Sequence, residues 1–257
     1  RYIMFCQINK IMERNPTIYY SNSKSYENFI KWSNEKSRIA FEINHYLGKR
    51  YSNLLDIGAG DGTITEMVAS IFDSIIIVEP GTTNFKKLQE RLISDKFQLI
   101  NKKFEDYSTD NKFNVVLACH SFKFLKNPLV QLDKIKKMLR ENGMFIHLDH
   151  QRQNDFLKFY EAYREKILGS DSKSPLSYNY KDILAKVFNS IEEISFSSEL
   201  VIPNVEDAIS IFDFIYDIHH KDIPKKIIHE IRNDLYEKYK NDEIRMNLQQ
   251  TMHICTL

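Results

Sequence analysis

The chain has 257 residues, 42% hydrophobic and 28% charged, the composition of an ordinary globular protein with room for one large domain or a domain with a cap. Thirty-six Lys and Arg against thirty-five Asp and Glu leave a net charge of +1, so no strong field holds the chain to nucleic acid or to an anionic membrane. The longest purely aliphatic run, Ile75 to Val78, is far short of the roughly 20 residues that span a bilayer, and the N-terminus lacks a signal-peptide layout. A cytoplasmic protein without a membrane partner is expected. Cys6, Cys119 and Cys255 are odd in number and far apart, with no C-x-x-C pair, so neither a disulfide framework nor a metal site is expected.

Residues 23–47 carry Tyr26, Phe29, Trp32, Ile39, Ile43 and Tyr46 at mostly helical spacing, which predicts one or two amphipathic helices. The apolar run Leu54-Leu55-Asp56-Ile57 follows. Three of the chain's seven glycines, Gly58, Gly60 and Gly62, then fall within five residues, ahead of Ile64, Met67, Val68 and Ile71 at helical spacing. Such clustering marks a turn that needs positive φ or lets a ligand approach the backbone. Next come a strand over Ser74 to Glu79 closed by Pro80-Gly81, a helix over Thr82 to Ile93 and a short strand over Phe97 to Asn101. A second cycle has strands over Phe113 to Cys119 and Gly143 to Asp149, with a helix over Pro128 to Leu139 between them, and a helix over 154–168 follows. Ser170 to Ser177 is linker-like. Ile191 to Ile202 and Met246 to Leu257 read as a final antiparallel pair, and Val205 to Lys240 as two inserted helices with a break at Pro224.

Strands alternating with helices of this length imply a doubly wound α/β domain with a mainly parallel sheet. Ligands of such sheets lie beyond the carboxyl ends of the strands. The residues there are Gly58 to Gly62, Glu79-Pro80, Phe104 to Asp106, Cys119 to Phe122, and Asp149-His150. A dinucleotide fingerprint would need glycine at position 63, which is Thr63.

The run Leu54-Leu55-Asp56-Ile57-Gly58-Ala59-Gly60-Asp61-Gly62 resembles motif I of the class I S-adenosylmethionine-dependent methyltransferases. Glu79, seventeen residues after Gly62, stands where that family places a carboxylate that accepts both ribose hydroxyls. Phe104-Glu105-Asp106 resembles its adenine-edge segment, and Phe113 to Leu125 with Pro128 its fourth-strand motif. The resemblance implies a seven-stranded Rossmann-like methyltransferase fold with N-terminal helices and a helical insertion before the last strand. It implies S-adenosyl-L-methionine as cofactor and S-adenosyl-L-homocysteine as product. The implied cofactor residues are Asp56, Gly58, Ala59, Gly60, Gly62, Glu79, Pro80, Asn84, Phe104, Glu105, Asp106 and Cys119. Residues 1–48 would form a helical cover and 49–257 the methyltransferase domain, with 204–241 completing the cover.

Within that superfamily the layout is most similar to the histamine N-methyltransferase family. Ser25-Tyr26-Glu27-Asn28-Phe29, Ser33-Asn34-Glu35, Val78-Glu79-Pro80 and the late helical insertion carry this likeness. Glu35 matches a glutamate that faces the substrate amine in that family. His120 replaces the family's polar amide after the fourth strand, and Lys123 replaces an aromatic; Lys123 facing the pocket would repel a cationic amine. Asn114 stands where many relatives carry aspartate. The candidate catalytic residues are His120, Glu35 and His150, while His147 is expected inside the sheet and His219-His220 at an exposed helix end. Tyr19, Tyr20, Tyr26, Trp32, Phe212, Phe214 and Tyr216 read mainly as core. Methylation of a small molecule on an amine nitrogen is expected. O-methylation of a carboxylate or phenol, methylation of a peptide, and a noncatalytic S-adenosylmethionine-binding module stay open, as does the choice between monomer and homodimer.

Overall fold

The structure is a computed structural model and describes residues 24–151, 154–170, 180–216, 220–240 and 243–257. The described residues divide into two compact units, one made of those within 36–150, 180–196 and 250–257, the other of those within 24–35, 151–170 and 197–249.

The first unit is built on a mainly parallel sheet. Its strands are β1 (Tyr51–Ile57), β2 (Phe72–Val78), β3 (Phe97–Ile100), β4 (Phe113–Cys119), β5 (Leu139–His150), β6 (Ser190–Ile202) and β7 (Ile244–Thr256), in the order β3-β2-β1-β4-β5-β7-β6. β1 pairs in parallel with β2 and β4, β2 with β3, and β4 with β5, whereas β7 runs antiparallel to β5. The apolar runs are unbroken because both faces are covered. Leu54 packs on one face with Ile75, Ile77, Val115, Leu117, Ile146 and Leu148, and Leu55 and Ile57 on the other with Ile76, Val78, Val116 and Phe145. Helices α1 (Lys24–Trp32) and α2 (Glu35–Leu47) precede β1; α3 (Thr63–Val68) follows it, α4 (Thr82–Arg91) follows β2, and α5 (Pro128–Met138) joins β4 to β5.

The start of β5 differs from the sequence reading for a plain cause. β5 starts at Leu139 rather than Gly143, because Leu139 pairs with Phe113 before the register shifts ahead of Val115. A Cβ on Gly143 would sit 2.7 Å from the Phe113 carbonyl oxygen, so this irregularity requires glycine. The exposed Arg140-Glu141-Asn142 hides the strand from a hydropathy reading. Asn114 ties β4 to β1. Its N–H donates to the Asn53 Oδ1 at 2.9 Å, and its own Oδ1 accepts from the Asn53 N–H at 3.3 Å.

The second unit gathers α1, α6 (Asp155–Leu168), α8 (Val205–Ser210), α9 (Phe212–Tyr216) and α10 (Lys225–Tyr239); α7 (Tyr180–Leu184) belongs to the first unit. Its core includes Phe29, Phe156, Tyr160, Phe212, Ile231 and Leu235, and the Tyr160 hydroxyl donates to the Ala208 carbonyl at 2.8 Å. Phe214 belongs to this core and Tyr26 and Trp32 pack against it, in line with the aromatic spacing. Tyr19 and Tyr20 lie outside the described residues, as does the Tyr216 side chain. Among its described residues the span 205–240 holds three helices and a 3₁₀ turn (His220–Asp222), not two helices. Asn204 caps α8, accepting from the Asp207 N–H at 2.9 Å, the chain turns at Ile211 before α9, and Pro224 precedes α10. His220 is not an exposed helix end but is half-buried, its Nδ1 2.8 Å from Asp213 Oδ1; His219 and 171–177 of the linker-like stretch lie outside the described residues. Among the described residues no helix is long and apolar enough to cross a membrane.

Candidate active site

The glycine turn leaves β1 at its carboxyl end, and each glycine has its own reason. Gly58, Gly60 and Gly62 have φ of 72°, 60° and 78°, in the left-handed region that side chains avoid. A Cβ on Gly58 would lie 2.5 Å from the Ser121 Cβ, and one on Gly62 would lie 2.6 Å from a Leu88 methyl. Gly60 meets nothing within 4 Å, so its backbone is open to a ligand. Gly58→Ala is therefore expected to cost about 2 kcal/mol from backbone strain and overpacking, read as a lower denaturation midpoint.

Glu79, one residue beyond β2, is buried beside this turn. Its Oε2 accepts from the Gly60 N–H at 3.0 Å and its Oε1 from the Gly81 N–H at 2.8 Å. Burial raises its pKa, opposed by hydrogen bonds from Gly81, Gly60 and Asn84. Three donors leave about one of a carboxylate's roughly four lone-pair sites, so both hydroxyls of a neighbouring diol would bond it only where one of the three donors gives way. Pro80 is half-buried and Gly81 carries the chain into α4, whose first turns hold Asn84.

Asp56 supports the turn from within β1. It is 2% exposed, and the Thr65 hydroxyl of α3 donates to its Oδ2 at 2.5 Å. Burial, against the Thr65 hydrogen bond and aided by the charge of Glu79, pushes its pKa from 3.8 to about 7. The folded chain thus holds a proton that the unfolded chain releases in between. The stability from this group is full below about pH 4 and is lost as pH rises to about 7. Asp56→Asn keeps an acceptor for Thr65 and cannot ionise, so its stability relative to the parent chain should rise between pH 4 and 7, measured by chemical denaturation across that range.

Asp61 of the same turn pairs with Lys36 of α2 at 2.7 Å and accepts from the Thr63 N–H at 3.1 Å. Ala59 packs against the core cluster that contains Leu54. After β3, Phe104 is buried in a 3₁₀ turn and Asp106 is exposed. The Glu105 Oε1 accepts from the Lys126 N–H at 2.8 Å, tying that turn to the loop after β4. Cys119 ends β4 and is half-buried.

A polar cluster lies at the carboxyl ends of β4 and β5. His120 follows β4 with φ 54°, its N–H bonded to the Leu148 carbonyl at 2.9 Å and its Nδ1 3.2 Å from Asp149 Oδ1. The His150 ring lies against it, centroids 4.4 Å apart, and the His150 N–H donates to Asp149 Oδ1 at 2.8 Å. Lys123 does not stand as a free repelling charge: its Nζ pairs with Asp149 Oδ1 at 3.1 Å. Burial alone would raise the Asp149 pKa, but the Lys123 charge and then the His120 hydrogen bond hold it well below the carboxylate range. His147 is fully buried with its Nδ1 3.3 Å from that of His253, and burial drops its pKa to about 3, keeping it neutral. The third candidate, Glu35, is the buried first residue of α2 and lies in the other unit; its N–H donates to the Ser33 Oγ at 2.9 Å.

Of the residues singled out in the sequence, the structure brings together the glycine turn, Glu79 and Asn84, and His120 with His150. The sequence reading named Asp149 and Ser121 only among the residues after the strands and gave neither a role. A carboxylate closing a β5 run that is otherwise mostly apolar, directly before a candidate histidine, was the available signal for Asp149.

Residues 55–147 match the family model described as a methyltransferase domain. No curated protein matches the chain. Among solved structures, the YcgJ protein of Bacillus subtilis is 14% identical with a TM-score of 0.56, covering 86% of this chain and 99% of its own. A protein of Anabaena variabilis described as a methyltransferase from an antibiotic biosynthesis pathway is 15% identical with a TM-score of 0.56, covering 86% and 97%. One of Bacillus halodurans, also described as a methyltransferase, is 12% identical with a TM-score of 0.53, covering 86% and 96%. The seven-stranded sheet is accordingly the Rossmann-like methyltransferase fold, the architecture of the class I enzymes. The chain is an S-adenosylmethionine-dependent methyltransferase, its methyltransferase domain matched at 55–147.

Proposed function

We propose that the enzyme methylates an amine nitrogen of a small molecule and that His120 removes the proton this nitrogen must lose. The observation that supports the reading is the His120–Asp149 contact at the end of β4, with Nδ1 and Oδ1 3.2 Å apart. An ammonium has no lone pair to attack carbon, so N-methylation needs a proton acceptor, whereas a carboxylate acceptor would need none. A phenol would also require a base and is the second reading. When bound, S-adenosylmethionine supplies a methyl group activated by its sulfonium. The Glu79 carboxylate receives the ribose hydroxyls, with Gly58, Ala59, Gly60 and Gly62 giving the methionine portion close access to backbone. Asp56 and Asn84 hold the turn and Glu79 in place, and Pro80, Phe104, Glu105, Asp106 and Cys119 frame the adenosine.

The likeness to the histamine N-methyltransferase family belongs to this proposal, as do the role of Glu35 as a carboxylate for a cationic acceptor, that of His150 in touching substrate, and the assignment of 1–48 and 204–241 to a substrate cover. The Lys123–Asp149 pair favours a cationic acceptor more than the sequence suggested, because the lysine charge is already balanced. A small-molecule acceptor and a cytoplasmic location complete the reading. The test is transfer of labelled methyl from S-adenosylmethionine to panels of small amines, phenols, carboxylates and peptides. Label on amines supports the proposal, and label confined to carboxylates or peptides overturns it.

A further inference from the structure

We infer that Asp149 is a positioning residue, whose carboxylate keeps the His120 imidazole proton on Nδ1 and thereby makes Nε2 the basic nitrogen. This rests on the reading of His120 as the proton acceptor. Asp149 is held from both sides of its strand: Leu148 pairs with Cys119 of β4, and Asp149 itself pairs with Thr251 of β7. It is 7% exposed, and its Oδ1 meets the Lys123 ammonium, the His150 N–H and the His120 Nδ1. Two of these are fixed donors. A bare Nδ1 lone pair would face an anionic oxygen at 3.2 Å, which is repulsive, so Nδ1 carries the proton.

His120 adopts a left-handed backbone that a side-chain-bearing residue seldom takes, fixed by its N–H bond to Leu148. The site therefore tolerates strain to set this ring against this carboxylate. The His150 ring, 4.4 Å away, limits rotation of the imidazole. Lys123 has a separate task. By pairing with Asp149 it keeps the carboxylate ionised, so that Asp149 accepts the imidazole proton in a hydrogen bond without taking it.

The test needs no acceptor. Full-length protein labelled with ¹⁵N-histidine and saturated with S-adenosylhomocysteine is studied by long-range ¹H–¹⁵N correlation at pH 8, with His120 assigned by comparison with His120→Gln. The expected spectrum has His120 Nδ1 protonated and Nε2 unprotonated. In Asp149→Asn the balance should move toward the Nε2-protonated form, and Asp149→Glu should restore at least part of the original. An Nε2-protonated His120 in the parent protein would overturn the inference, whether or not the variants fold. So would an unchanged His120 spectrum in folded Asp149→Asn. Loss of turnover in His120→Ala together with an Nε2-protonated parent would leave the base reading standing and remove only the role of Asp149.

Discussion

His120→Ala is expected to lower methyl-transfer turnover by about a hundred- to ten-thousandfold while S-adenosylmethionine affinity changes little. The separation follows from geometry. His120 bonds through its ring to Asp149 and through its backbone to Leu148, whereas the carboxylate assigned to the ribose is Glu79, bonded to Gly60 and Gly81. Removing the imidazole deletes the proposed proton acceptor and leaves the Glu79 hydrogen bonds untouched. Alanine at this left-handed backbone is no better accommodated than histidine, so folding should be checked by thermal denaturation before rates are compared. Single-turnover rates with an amine acceptor, beside calorimetric affinity for S-adenosylhomocysteine, read the two quantities separately. A loss of affinity with the single-turnover rate preserved would move His120 from the proton transfer to the cofactor shell.

Much of the first unit could be read along the chain because its physics is local. Unbroken apolar runs followed by Gly58, by Pro80-Gly81 and by Pro128 mark the ends of buried parallel strands and the starts of helices, and the structure puts β1, β2, β4 and α5 at those places. What stayed hidden depends on partners distant in sequence. The start of β5 is set by Phe113 and by the lack of a Cβ at Gly143, and the surrounding Arg140-Glu141-Asn142 mimics a loop. The neutralisation of Lys123 could not be seen because Asp149 lies 26 positions away and becomes its neighbour only when β4 and β5 pair. Glu79 was legible for the opposite reason: its place is fixed within a few residues by the strand before it and the turn after it.

Glu79→Ala is expected to weaken S-adenosylmethionine and S-adenosylhomocysteine alike, by roughly 3 kcal/mol, a hundredfold or more. Two effects add. The ribose loses charge-assisted bonds to a buried acceptor, and the Gly60 and Gly81 N–H groups lose the oxygens that now fix the turn. Glu79→Gln separates them. Its amide oxygen can still accept from one glycine N–H, but its NH₂ group meets the other glycine's N–H as donor against donor, and it brings no charge to the diol. Its loss should therefore fall between those of the parent and the alanine variant. Both ligands must weaken together, because the ribose is common to them and the methyl group is not. Calorimetric titration of each variant with each ligand gives the comparison. An affinity in Glu79→Ala equal to that of the parent would remove Glu79 from the ribose and leave it as a brace between the two glycine turns.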